Sequence, residues 1–155
     1  MKKYNGIYIQ ENIRVAIVIS RFNSVITEDM LAGAEDCLTR HNIKNIDVFY
    51  VPGALEIPYT AKKLTEKNIY SGIITLGAVI RGETYHFDVV ANESTKGIAN
   101  LSMKSDIPIV MGIITVESLE QAINRAGAKS GNKGFDAAMS LIEMISMREI
   151  INGIK

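Results

Sequence analysis

The run Ser71 to Asp88, SGIITLGAVIRGETYHFD, sets a long apolar stretch against a compact polar turn that carries Arg81, Glu83, Thr84 and His86. Imidazole exchanges protons near neutral pH, so His86 is a candidate acid–base group. Gly82-Glu83-Thr84 just before a helix offers unpaired N–H groups and a hydroxyl, a combination that favours a phosphate, although this is no Walker motif. The other histidine, His41, falls late in a helical pattern, where an imidazole is ordinarily structural.

Two further segments could join that turn. Phe22 follows one apolar run and Ala54-Leu55-Glu56 follows another. A loop aromatic either caps a core or stacks on a flat ligand. Glu56 is either a solvated helix-start charge or an acceptor of several hydrogen bonds, which would suit a polyol. Ala78, Val79 and Ile80 pack as strand residues, with backbone groups at the strand's end free to meet the edge of a heterocycle. Arg125 and Lys133 flank a small polar hinge, Ala128 to Lys133, and by position alone are surface cations. Cys37 reads as core packing, not as a nucleophile.

These residues need a scaffold that brings them to one place. Four apolar, β-branched runs, Val15 to Ser20, Val48 to Val51, Gly72 to Ile80 and Ile107 to Thr115, alternate with helical patterns. Such alternation predicts a parallel sheet covered by helices on both faces. Met30, Leu31, Ala34 and Leu38 mark a first helix, with Thr27 as N-cap and Asn42 near its stop. Pro58 should open the second, around Ala61 and Leu64, leaving Ala54-Leu55-Glu56 as an ordered loop. A third helix should follow His86 and run to about Lys104 with Val90, Ile98 and Leu101 inward. The fourth should open with Ser118 and Gln121 in capping-box spacing, bury Leu119, Ala122, Ile123 and Ala126, and stop at Gly127. The last should span about Phe135 to Ile150. In a parallel sheet of this kind the carboxyl ends of the strands form the ligand edge, and Phe22, Ala54 to Glu56 and Arg81 to His86 all fall there. Residues 1–12 stand apart as an arm in which Gly6 to Gln10 reads as a short strand, and 13–155 form the domain. Such a strand either caps its own sheet or joins a neighbour's, since a free apolar edge invites pairing with another chain.

The chain has 155 residues, 47% of them hydrophobic, enough for one domain with its own core. Seventeen basic and seventeen acidic side chains cancel, so no global field recruits nucleic acid or an anionic membrane. A single cysteine excludes an internal disulfide and CxxC metal chemistry, and suits a reducing cytosol. No apolar signal core follows Met1 to Gly6 and no run approaches a membrane span, so the expectation is a soluble, cytoplasmic protein.

GAVIRGETYHFD, with VPGALEIP from Val51 to Pro58 and GAKSGNKGFDAA from Gly127 to Ala138, resembles the lumazine synthase family, and the likeness runs from Arg21-Phe22-Asn23 to Glu143-Met144. The resemblance implies a flavodoxin-like three-layer α/β/α sandwich on a central parallel four-stranded sheet, with the N-terminal strand added to a neighbouring subunit. It implies the condensation of 5-amino-6-(D-ribitylamino)uracil with 3,4-dihydroxy-2-butanone 4-phosphate, the penultimate step of riboflavin biosynthesis. That chemistry needs no metal or redox cofactor.

The resemblance also assigns roles. It implies pyrimidine and ribityl contacts by Phe22, Ala54, Leu55, Glu56, Ala78, Val79, Ile80, Met111 and Lys133. It implies phosphate contacts by Glu83, Thr84 and Arg125, and proton transfer by His86. Arg125 and Lys133 would serve the neighbouring subunit's site. Two positions depart from the family pattern: Met111 stands where phenylalanine is usual, and Glu83 where the residue is often small. The Glu83 carboxylate should therefore point away from phosphate, toward Arg81, while its backbone binds. Pentamers are implied, and the short hinge Gly127 to Gly134 matches members that build sixty-subunit icosahedral particles, the alternatives being a free pentamer or a decamer of two pentamers. Riboflavin synthase is a candidate partner. Two rival readings are a nonenzymatic lumazine- or flavin-binding module and a catalytically silent shell protein.

Overall fold

The computed structural model describes residues 1–8, 11–129 and 131–155. Its centre is a four-stranded, all-parallel sheet in the order β2, β1, β3, β4, built from β1 (Arg14–Ser20), β2 (Asn45–Val51), β3 (Gly72–Ile80) and β4 (Ile109–Val116). The crossovers are helices α1 (Ser24–Arg40), α2 (Ile57–Thr65) and α3 (His86–Lys104), followed after β4 by the short α4 (Leu119–Ile123) and the long α5 (Lys133–Asn152). This is the parallel α/β arrangement expected from the alternation, consistent with the flavodoxin-like fold that the resemblance implies.

Two apolar layers hold it together. Ile17, Ile19, Ile74 and Leu76 point to one face and pack with Met30, Leu38, Leu141 and Ile142 of α1 and α5. Ala16, Val18, Ile73 and Ile113 point to the other, against Ile57, Ala61 and Ile98 of α2 and α3. Burying one such aliphatic side chain contributes roughly 1.5–3 kcal/mol. β3 is central and covered on both faces, hence its unbroken apolar run.

Local chemistry sets the element ends, and it departs from expectation in several places. α1 begins at Ser24, with Asn23 left-handed at its N-cap (φ 60°), and Thr27 is instead buried, its hydroxyl donating to the Ser20 carbonyl at 2.9 Å. Ala54–Glu56 is a 3₁₀ turn running into α2, which starts at Ile57 with Pro58 in its first turn, where a missing N–H costs nothing. Ser118 does cap α4, accepting from Gln121 N at 3.2 Å, but the Gln121 side chain reaches Glu117 N (2.8 Å) and not the cap's own N–H. Ala122 and Ala126 are buried as expected, whereas Leu119 (55% exposed) and Ile123 (40%) are not, because α4 is too short to lay a whole stripe on the sheet.

The hinge between α4 and α5 is held by one side chain. Asn132 caps α5, its Oδ1 accepting from Gly134 N (2.8 Å) and Phe135 N (3.2 Å). Its Nδ2 donates to Asp29 O (2.9 Å) in α1 and Ala126 O (2.7 Å). Gly134 is pressed so closely on the Met30 carbonyl that a β-carbon there would overlap it. Ser130, within the expected hinge, lies outside the described residues.

In the N-terminal arm, Met1–Tyr8 forms no strand within its own chain. Ile7 N donates to Ser146 Oγ at 3.0 Å and the Tyr8 hydroxyl to Glu143 at 3.0 Å, laying this part on α5. Ile9 and Gln10, which complete the expected strand, lie outside the described residues. Among the described residues no helix is long and apolar enough to cross a membrane.

Candidate active site

The chain reverses direction across the sheet between β1 and β3: β2 lies to one side of β1, and β3 and β4 to the other. At such a switch point the loops leaving the two strands part and open a crevice beyond their carboxyl ends. A cleft of about 310 Å³ lies there, lined by Phe22 and Asn23 after β1, Ala54 after β2, Ala78, Val79 and Ile80 at the end of β3, and Gly82, Thr84, His86, Phe87 and Val90 from the loop and first turns of α3.

Each wall has a local cause. Arg21 N donates to Val51 O (2.8 Å) and Phe22 N to Pro52 O (3.1 Å), so the β1 loop continues the ladder to β2 and presents the Phe22 ring outward, 72% exposed. Left-handed geometry at Asn23 aims its amide across the sheet to donate to Ala78 O at 2.8 Å. Glu56 turns back and accepts from Gly53 N at 2.8 Å, closing the turn that seats Ala54 at the cleft. Arg81 N donates to Val116 O at 2.9 Å, carrying the β3–β4 ladder one residue past its strand.

Beyond Arg81 the backbone is open. The N–H groups of Gly82, Glu83 and Thr84 have no partner among the described residues, and α3 begins without a side-chain cap. Thr84 Oγ1 sits 3.4 Å from His86 N. Orphan donors with the positive end of a helix make a ready anion cradle.

Seven of the residues expected at the site therefore line one cleft: Phe22, Ala54, Ala78, Val79, Ile80, Thr84 and His86. The others do not. Leu55 and Glu56 are exposed on the turn beside it, and Glu83 is exposed on the loop. The expected approach of Glu83 to Arg81 does not occur: Arg81 Nε pairs with Glu117 at 2.6 Å and NH1 with Asp88 at 3.3 Å. Those partners, Glu117 first, raise the guanidinium's pKa further above its already high value. Met111 is 46% exposed on edge strand β4, opposite Thr75 and five residues before Val116, so roughly 16 Å down the strand from the ligand edge. Arg125 is exposed on the turn after α4, with Gln121 O 3.5 Å away, and Lys133 pairs with Asp136 at 3.0 Å at the start of α5.

Asn23, Gly82, Phe87 and Val90 also line the cleft. Asn23 carried a readable signal: an asparagine directly after a strand tolerates the left-handed turn that a sharp exit needs. Cys37 is fully buried, its thiol pushed up to about 11 by burial, which removes it as a nucleophile.

A parallel α/β protein with an aromatic-walled crevice, an anion cradle and one imidazole at its switch point defines a small-molecule site of the flavodoxin-like class. The family model for 6,7-dimethyl-8-ribityllumazine synthase matches residues 12–149, and the chain belongs to that family. It is 54% identical to the 6,7-dimethyl-8-ribityllumazine synthase of Kosmotoga olearia over 99% of this chain and 100% of that one. It is 55% identical to the enzyme of the same name from Thermotoga petrophila, and 54% to that from Thermotoga maritima, each over 96% of this chain and 92% of the relative.

Proposed function

We propose that this cleft forms 6,7-dimethyl-8-ribityllumazine from 5-amino-6-(D-ribitylamino)uracil and 3,4-dihydroxy-2-butanone 4-phosphate, releasing phosphate and water. The observation that carries the reading is the meeting of Phe22, the strand end Ala78–Ile80, Thr84 and His86 in one crevice. The exposed Phe22 ring stacks on the pyrimidine, backbone groups of the β3 end bind its polar edge, and Glu56 takes ribityl hydroxyls on the oxygen not turned to Gly53. The N–H groups of Glu83 and Thr84 hold the phosphate. Amine and ketone are then close enough to condense to an imine with loss of water, lose phosphate through proton transfer, and close the ring with loss of a second water. Orientation supplies most of the acceleration, and His86 as proton carrier adds about 100-fold to 10,000-fold.

Among the described residues that line the cleft of one chain there is no cation for the phosphate, since Arg125 and Lys133 lie elsewhere and Arg81 is paired. Their supply by a neighbouring subunit, with Met111 as an apolar wall, completes the site. Exposed apolar side chains at Tyr85, Val89 and Met103 of the β3–α3 segment, and at Met111 on the sheet edge, support burial against other copies. The arm supplies its strand to a neighbour in the same assembly. The uninterrupted hinge, fixed by Asn132, supports a sixty-subunit particle built of pentamers, in a cytoplasmic setting and with riboflavin synthase as candidate partner. Light scattering tests the assembly: sixty chains of 17.0 kDa give on the order of a megadalton. A sole species near five chains' mass would rule out the particle and leave the enzyme reading standing.

His86→Ala tests the chemistry. It should fold and bind the pyrimidine while turning over about ten-fold or more slowly, because only proton transfer is lost. A wild-type rate would remove His86 from the mechanism.

A further inference from the structure

The loop that carries the phosphate cradle and His86 has few anchors of its own. Between Arg81 and the first turn of α3, its backbone donors have no partner among the described residues apart from the long His86 N to Thr84 Oγ1 contact, and no side chain of those residues caps the helix. Phe87 and Val90 pack on the apolar layer of the sheet, and Arg81 supplies the polar tie. Arg81 N is fixed on Val116 O at 2.9 Å, its Nε on Glu117 at 2.6 Å and its NH1 on Asp88 at 3.3 Å, while its guanidinium lies over the Phe87 ring, 4.3 Å from the centroid. Phe87 lines the cleft and is the next residue after His86.

An isolated surface ion pair contributes little, but a guanidinium that joins two carboxylates and an aromatic face in fixed geometry is a network. Here it joins three elements: the end of β3, the first turn of α3 and the segment after β4. The same geometry takes Arg81 out of phosphate binding. Two of its donor nitrogens face carboxylates, and the charge it would offer an anion is offset by Glu117 and Asp88.

We propose that Arg81 is a positioning residue for lumazine formation: by clamping Phe87 and Asp88 to the ends of β3 and β4, it sets the place of His86 in the cleft. The proposal rests on the reading of His86 as proton carrier. Misplacing a catalytic group by about 1 Å can cost as much as 100-fold in rate, and the clamp's effect should fall on turnover and leave affinity for the phosphorylated ketone largely intact.

The test is steady-state kinetics on the assembled full-length protein. Arg81→Met, which keeps an unbranched apolar stem but none of the donors, should lower kcat about ten-fold with the KM for the phosphorylated ketone changed by less than about three-fold. Arg81→Lys keeps the charge but cannot span both carboxylates, and should fall between Arg81→Met and wild type. In a His86→Ala background, Arg81→Met should cost no more than about two-fold further, since a residue acting through His86 has nothing left to position. Wild-type kcat in Arg81→Met would overturn the proposal, as would a loss confined to KM, which would make Arg81 a phosphate ligand. Fully multiplicative losses in the double variant would overturn it as well. If Arg81→Met fails to assemble, Arg81→Lys decides: lowered kcat at unchanged KM supports the clamp, and wild-type kcat refutes it. A wild-type rate in His86→Ala alone identifies failure of the underlying reading, separately from any result at Arg81.

Discussion

The two ends of the sheet are built from similar residue types and put to opposite use. At the amino end, Arg14 on β1 pairs with Asp47 on β2 at 2.7 Å, its guanidinium lies 5.5 Å from the Tyr70 ring centroid, and Arg14 N donates to Ser71 Oγ at 3.3 Å. The polar groups there satisfy one another. At the carboxyl end the loops diverge around the switch point, leaving three N–H groups and the Phe22 ring facing solvent. The difference teaches where affinity can reside: groups already paired gain little from a ligand, and unpaired ones gain the whole bond.

Substitutions at the two ends should accordingly separate catalysis from stability. The largest effect is expected from Arg125→Ala, where loss of one charge-assisted contact, about 1.5–3 kcal/mol, should raise the KM for the phosphorylated ketone about ten-fold to 100-fold without changing the melting temperature. Mixing Arg125→Ala with His86→Ala subunits should restore some activity. A defect in pyrimidine binding alone would contradict the phosphate assignment of Arg125, and no recovery after verified mixing would place the site within one chain.

A smaller effect belongs to the core between the two ends. The buried Cys37 thiol is raised from 9.0 to about 11. The native state thus holds its proton where the unfolded chain has lost it, so this contribution to stability is complete below about pH 9 and declines as pH rises toward 11. Urea unfolding at about pH 8 and about pH 10.5 should show the decline, flattened in Cys37→Ala. An equal decline in that variant would assign it to other groups, Tyr70 among them.

The smallest effect is expected from Asp47→Asn at the amino end. The hydrogen bond from Arg14 holds this carboxyl below its ordinary value of 3.8, so its contribution is present above that pH and lost as pH falls through the lowered value. The variant should melt slightly lower at neutral pH, lose part of its acid sensitivity, and keep wild-type kcat and KM. A change in either kinetic constant would break the division between the two ends.

How far the sequence speaks follows the same physics. β3 was legible to the residue, Gly72–Ile80, because a strand covered on both faces must be apolar throughout, and α3, expected just after His86 and running to about Lys104, spans His86–Lys104. β2 begins three residues before its apolar run, at Asn45, because as an edge strand it accommodates polar residues such as Asp47, which Arg14 pairs. β4 begins at Ile109, two residues later than its run, after Pro108, whose ring nitrogen has no hydrogen to give a ladder. Leu119 and Ile123 matched a helical stripe whose outer side chains α4 leaves uncovered.

The site divides likewise. The cleft's own walls could be inferred because three strand ends must converge in a parallel sheet. The parts of Met111, Arg125 and Lys133 rest on family resemblance alone, since spacing within one chain says nothing about which surfaces meet between chains. The Arg81 clamp was hidden for another reason: Glu117 and Asp88 reach it from elements whose relative placement only the fold fixes.

The central claim, that the carboxyl end of this sheet makes a lumazine, is tested most directly by incubating the purified, assembled protein with both substrates and following absorbance of the product. The account predicts lumazine that accumulates only when both substrates are present, at a rate proportional to protein and lowered about ten-fold or more by His86→Ala. Tight binding of the pyrimidine or the product with no turnover above the spontaneous reaction would contradict it, and would leave a ligand-binding shell in its place.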